Sequence, residues 1–190
     1  GAGLHTLSYT YGVGTCEKTE TKTVRVYALP VVSAGADFAV CVNDAVFALS
    51  GYSPLGGTWA GTGITDVNNG TFDPSIAGIG THTLTYTVTA GNGCSDSATT
   101  DVEVKDLPTV DAGSFGPFCI NDVDISMLGN PIGGTYSGDG VSGNMFSPSG
   151  AGPRTHTLTY TYTDGDGCEN SSTVDIIVYD LPAVDAGTYT

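Results

Sequence analysis

In a chain of 190 residues, five Lys or Arg stand against twenty Asp or Glu, a net charge of −15. So acidic a chain repels phosphate backbones, and no basic patch offsets the repulsion, which excludes nucleic acid as an expected partner. Hydrophobic residues reach 39%, too many for a disordered segment, yet no run of ~18 apolar residues is present to span a membrane.

The first predicted strand is "LHTLSYT" (4–10), followed by a glycine-bearing turn, "YGVGTC" (11–16). A second alternating segment, "TKTVRVY" (21–27), runs to Leu29-Pro30. After "VVSAG" (31–35) come short runs bounded by Gly, Asn and Pro: "AVFALSG" (45–51), "GGTWAG" (56–61) and "GTFDPS" (70–75). "THTLTYT" (81–87) then restates the first strand almost letter for letter. His82, Leu84, Tyr86 and Val88 share one face, and Thr83, Thr85 and Thr87 the other, the period of a half-buried strand. "AGNG" (90–93) supplies residues that tolerate positive φ, as a tight hairpin requires. The return strand, "TTDVEVK" (99–105), directs Val102 and Val104 inward and Asp101 and Glu103 outward. Leu107-Pro108 closes the cycle. From "TVDAG" (109–113) the order begins again, through "GGTYSG" (133–138), "THTLTYT" (155–161), "DGDG" (164–167) and "TVDIIVY" (173–179) to Leu181-Pro182. "AVDAG" (183–187) opens it once more.

Repetition at this period marks a copied domain rather than a copied active site. Two whole repeats are expected at 31–108 and 109–182, with 1–30 the back end of an earlier repeat and 183–190 the first strand of a further one. Six or seven short strands per repeat, and no helical periodicity, predict an all-β fold: tandem antiparallel β-sandwich repeats of immunoglobulin-like type, placed end to end. Trp59, matched by Tyr136, and Phe72, matched by Phe146, are the expected core aromatics.

The five cysteines follow the repeat. Cys41 and Cys119 precede the "AVFALSG"-type strand, while Cys94 and Cys168 follow the glycine-rich hairpin. Pairing within each repeat, Cys41–Cys94 and Cys119–Cys168, would close loops of about 50 residues, worth roughly 3–4 kcal/mol in the chain-entropy model. Cys16 would then find its partner upstream. Zinc is the competing use, but no CxxC or Cys/His cluster supports it. Disulfides imply an oxidising compartment.

The combination of GGTW or GGTY, the F-x-P of "GTFDPS", THTLTYT, GNGC or GDGC, and LPxVDAG resembles the PKD-like or Ig-like repeats of very long surface proteins of gliding, Bacteroidota-type bacteria. The likeness covers essentially the whole chain. It implies export to the cell surface, often by the type IX route, and a role in adhesins, stalks or filaments such as the gliding-motility adhesin.

Little in the sequence carries chemistry. Gly138 to Gly143 spells GxGxxG, but no helix follows to meet a pyrophosphate, so these are loop glycines. His5, His82 and His156 occupy one position of the repeat, a domain apart, and are expected at a strand start rather than on a metal. No nucleophile–base motif is kept in both repeats, so no catalysis and no organic cofactor are expected. Asp106 with Asp111, and Asp180 with Asp185, flank the junctions and are the candidate Ca²⁺ ligands, although Ala28 and Ser33 replace such a pair at the first junction. Asp96-Ser97-Ala98 resembles the short O-glycan acceptor of these bacteria, with Ser97 as the acceptor.

The expected function is that of a stalk or filament segment in a large bacterial cell-surface adhesin, projecting an adhesive or motile tip. Two alternatives are a carbohydrate-binding array and an accessory stalk on a secreted enzyme. The expected partners are neighbouring repeats and other copies in a filament, with surface polysaccharide gripped by regions outside this chain.

Overall fold

The computed structural model describes residues 1–185 and 187. The expected opening strand at 183–190 therefore lies partly outside the described residues. Contacts divide the chain into two units, Gly1–Val104 and Lys105–Thr190.

The first unit opens with β1 (Gly3–Val13) and β2 (Cys16–Val26), an antiparallel ladder whose every residue is exposed. A lone hairpin has no second layer against which to bury a face. Then come β3 (Phe38–Cys41), β4 (Phe47–Ala48), β5 (Thr58–Ala60), β6 (Ile64–Asp66), β7 (Thr71–Phe72), a single turn α1 (Pro74–Ala77), β8 (Gly80–Thr89) and β9 (Ser95–Lys105). They form a four-stranded sheet ordered β3-β9-β8-β5 and a three-stranded sheet ordered β4-β7-β6. Between the sheets lie Leu49, Trp59, Phe72, Leu84, Tyr86, Val102 and Val104.

The second unit repeats the plan with β10 (Phe118–Cys119), β11 (Ile125–Ser126), β12 (Thr135–Ser137), β13 (Val141–Ser142), β14 (Met145–Phe146), α2 (Pro148–Ala151), β15 (Thr155–Thr163) and β16 (Glu169–Tyr179). Its sheets are β10-β16-β15-β12 and β11-β14-β13. Met127, Tyr136, Phe146, Leu158, Tyr160, Ile176 and Val178 fill the interior. The chain is thus all-β, built of Ig-like sandwiches with seven strands each, as the alternation of apolar and polar residues predicts. Phe72 and Phe146 are fully buried, and Trp59 and Tyr136 nearly so.

The two single-turn helices were not expected. Each begins with a capping side chain followed by proline: Asp73 accepts from the backbone N–H groups of Ser75 and Ile76, and Ser147 from that of Gly150. Proline at the first helical position needs no N–H partner, so this pair of residues starts a turn without helical periodicity around it.

One tyrosine locks each sandwich. The Tyr86 hydroxyl accepts from Gly57 N–H (2.9 Å) and donates to the Pro54 carbonyl (2.7 Å). Tyr160 does the same with Gly134 (2.7 Å) and Pro131 (2.6 Å). Glycine is required at both donors, since a Cβ there would come within 2.6 Å of Tyr86 Cζ or 2.5 Å of Tyr160 Cζ.

Candidate functional sites

The repeated histidine is a clasp. Nε2 of His82 lies 2.8 Å from the Gly78 carbonyl oxygen, Nε2 of His156 the same distance from that of Gly152, and His5 repeats the contact with Gly1. A carbonyl can only accept, so Nε2 carries the proton and donates. In both sandwiches this ties the start of the long hairpin strand to the end of the helical turn. In the second, Arg154 pairs with Asp139, and His156 Nδ1 stands 3.8 Å from the same carboxylate. The matching positions of the first sandwich hold Gly80 and Thr62, so the ion pair is peculiar to one copy.

Each junction carboxylate is used locally. Asp106 accepts from Leu107 N–H (2.7 Å), Asp111 from Gly113 (2.8 Å), Asp180 from Leu181 (2.8 Å) and Asp185 from Gly187 (2.9 Å). Among the described residues, no group of three or more His, Cys, Asp or Glu comes together as a cation would need. Leu107 is half-buried, and Ser97 is exposed on β9.

An open groove of about 690 Å³ runs along the first sandwich, walled by Phe38, Val40, Phe47 and Leu49. Its ionisable side chains, Asp37 and Asp44, accept from the N–H groups of Asp101 (2.8 Å) and Cys41 (2.9 Å) respectively. The Thr100 hydroxyl, which donates to the Ala36 carbonyl (3.0 Å), also lies 3.4 Å from Asp37, so both carboxylates of the groove hold the chain in place.

The cysteines correct the sequence reading. Cys41 and Cys168 are in the disulfide form, whereas Cys94, Cys119 and Cys16 are free thiols. The expected pairs Cys41–Cys94 and Cys119–Cys168 are therefore not formed, and strand direction gives the reason. β10 runs parallel to β16, with Cys119 in register with Tyr179, the last residue of that strand. Cys168 sits just before its first residue, Glu169. The 11 residues of β16 separate them, about 36 Å at ~3.3 Å per residue. A disulfide needs Cα atoms within ~7 Å. In the first sandwich β3 holds the same place beside β9. Asp37, just ahead of β3, already bonds to Asp101, roughly 23 Å along β9 from Cys94.

No protein-family model and no curated protein matches this sequence. Among solved structures, the chain is similar over 94% of its length to mouse protocadherin-24 EC1-3, at 10% identity and a TM-score of 0.32, covering 80% of that chain. It is also similar to the five immunoglobulin domains of sidekick-1 (14% identity, TM-score 0.33, 93% of this chain). The insect immune protein hemolin matches as well (10% identity, TM-score 0.34, 93% of this chain). The chain spans about half the length of these last two, 46% and 56% respectively.

Proposed function

We propose that the chain is a spacer segment of a large extracellular adhesin-type protein of a Bacteroidota-type bacterium, exported by the type IX route, with repeats at 31–108 and 109–182. Its work is to carry an adhesive or motile tip away from the surface, without catalysis or cofactor of its own. The supporting observation is that the buried frame is copied from one sandwich to the other, while a surface ion pair is not. Tyrosine lock, histidine clasp and core aromatics recur in both sandwiches, while the Arg154–Asp139 pair stands in one alone. A repeated recognition site would show the opposite pattern, with fixed surface groups on a tolerant frame. The oxidised cysteines fit a compartment outside the cytosol.

The test has two arms. Applied to a glycan array, the purified 190-residue chain should show no saturable retention. Removing whole repeats from the parent protein should weaken cell attachment in proportion to the number removed. Saturable glycan binding lost on changing one exposed aromatic would instead make the array a binding module.

A further inference from the structure

We propose that the first sandwich takes up an extended segment of a basic partner protein, laid as an added strand along the free edge of β4 and over the apolar groove beside it. β4 and β3 each stand last in their sheets, and among the described residues no strand pairs with their outer sides. The ladder shows which backbone groups this leaves. Leu49 N–H donates to the Gly70 carbonyl (2.9 Å), and Phe47 stands opposite Phe72, so these two residues face β7. Antiparallel pairing turns alternate residues to opposite sides, so the N–H and carbonyl of Ala48 point away from β7, to the open edge. Such an edge is a template for one more strand.

The groove supplies what that strand needs for its side chains. Its apolar walls come as pairs two residues apart, Phe38 with Val40 and Phe47 with Leu49. That spacing, ~6.6 Å, is the repeat of side chains along one face of any strand. Two apolar residues of an incoming segment, separated by one, would enter the groove together while the residue between them faces water.

The second sandwich defends the same edge. Counting from the matched cysteines, Cys41 and Cys119, Asp124 replaces Val46 and Pro117 replaces Ala39. A charge and a proline on an edge keep foreign strands off. The first sandwich has neither at these places, and Val46 is half exposed.

Charge selects the occupant. Asp37 and Asp44 line the groove, and Asp37 shares an adjoining hollow with Asp101 and Glu103. These four carboxyl groups border the seat and favour a segment with Lys or Arg beside its apolar residues. A second copy of the chain, at a net charge of −15, is repelled instead. The site adds a partner to the spacer reading and does not depend on it.

The probe is a capped, fluorescein-labelled Lys-Val-Thr-Val-Thr-Val-Lys peptide, titrated with the 190-residue chain. Saturable binding is expected, with amide shifts in the NMR spectrum centred on Ala48. Asp37→Asn together with Asp44→Asn keeps the acceptor oxygens and removes the charge, and should weaken binding at low salt. Two peptides N-methylated on alternate amides, offset by one residue, separate edge pairing from apolar contact alone. One should bind as the parent does, and the other at least about tenfold more weakly, because its edge hydrogen bonds are lost. No saturation by about 1 mM chain would overturn the proposal. So would equal binding of the two methylated peptides, or self-association of the chain through this edge in sedimentation.

Discussion

At the residue scale, the tyrosine lock concentrates the polar business of each sandwich in one hydroxyl. Tyr160 takes the Gly134 N–H and gives its own proton to Pro131, so removing the oxygen strands a buried donor and a half-buried acceptor together. An unsatisfied buried group costs about 1–3 kcal/mol. Tyr160→Phe should lower stability by that order, read as a drop in the urea midpoint with unchanged slope. Tyr136 carries a second, pH-dependent consequence. Burial first, then the charges of Tyr160 and Asp111, hold its pKa above the ordinary 10.0. The unfolded chain therefore gives up this proton before the folded one does. The contribution is complete below pH 10 and is lost as pH climbs through the raised value. Tyr136→Phe should flatten the alkaline decline of stability, compared with the unaltered chain between about pH 9 and 11. The matched residue of the first sandwich, Trp59, has no such proton to lose. An equal alkaline slope with and without the Tyr136 hydroxyl would remove the assignment.

At the element scale, the long hairpin strand organises everything else, and its fit is tight on the side of β12. A Cβ on Gly134 would stand 2.4 Å from the Thr161 carbonyl oxygen and 2.5 Å from Tyr160 Cζ. Backbone cannot retreat as a flexible side chain can, so Gly134→Ala should cost about 1–3 kcal/mol through overpacking. Gly165→Ala, in the hairpin turn with nothing within 4 Å, should be close to neutral. Thermal unfolding of the two variants side by side separates packing from a general intolerance of alanine. These strands were legible in the sequence because a half-buried strand must alternate: Leu84, Tyr86 and Val88 inward, Thr83 and Thr89 outward. The helical turns were missed although their signal was present, in Asp73-Pro74 and Ser147-Pro148, because four residues are too few for periodicity. The cysteine pairing was misread for a different reason. Recurrence along a sequence marks equivalent positions but not the end of the sheet that each occupies. That is decided by β10 lying parallel to β16, a long-range register that no local pattern encodes.

At the scale of the whole molecule, twenty Asp or Glu stand against five Lys or Arg, a net charge of −15. Like charges gathered on a folded chain repel one another more than the same charges spread along an unfolded one, so this excess opposes the compact state. Salt weakens the repulsion, because the screening length falls from about 30 Å at 0.01 M to about 3 Å at 1 M. Exposed ion pairs such as Lys18–Glu20 are weakened by the same salt, but each contributes little. The thermal midpoint should therefore rise between about 0.01 and 0.5 M NaCl. Replacing several exposed Asp by Asn should make that rise shallower. A midpoint that stays level or falls with salt would mean that particular ion pairs, and not net repulsion, set the charge dependence of stability.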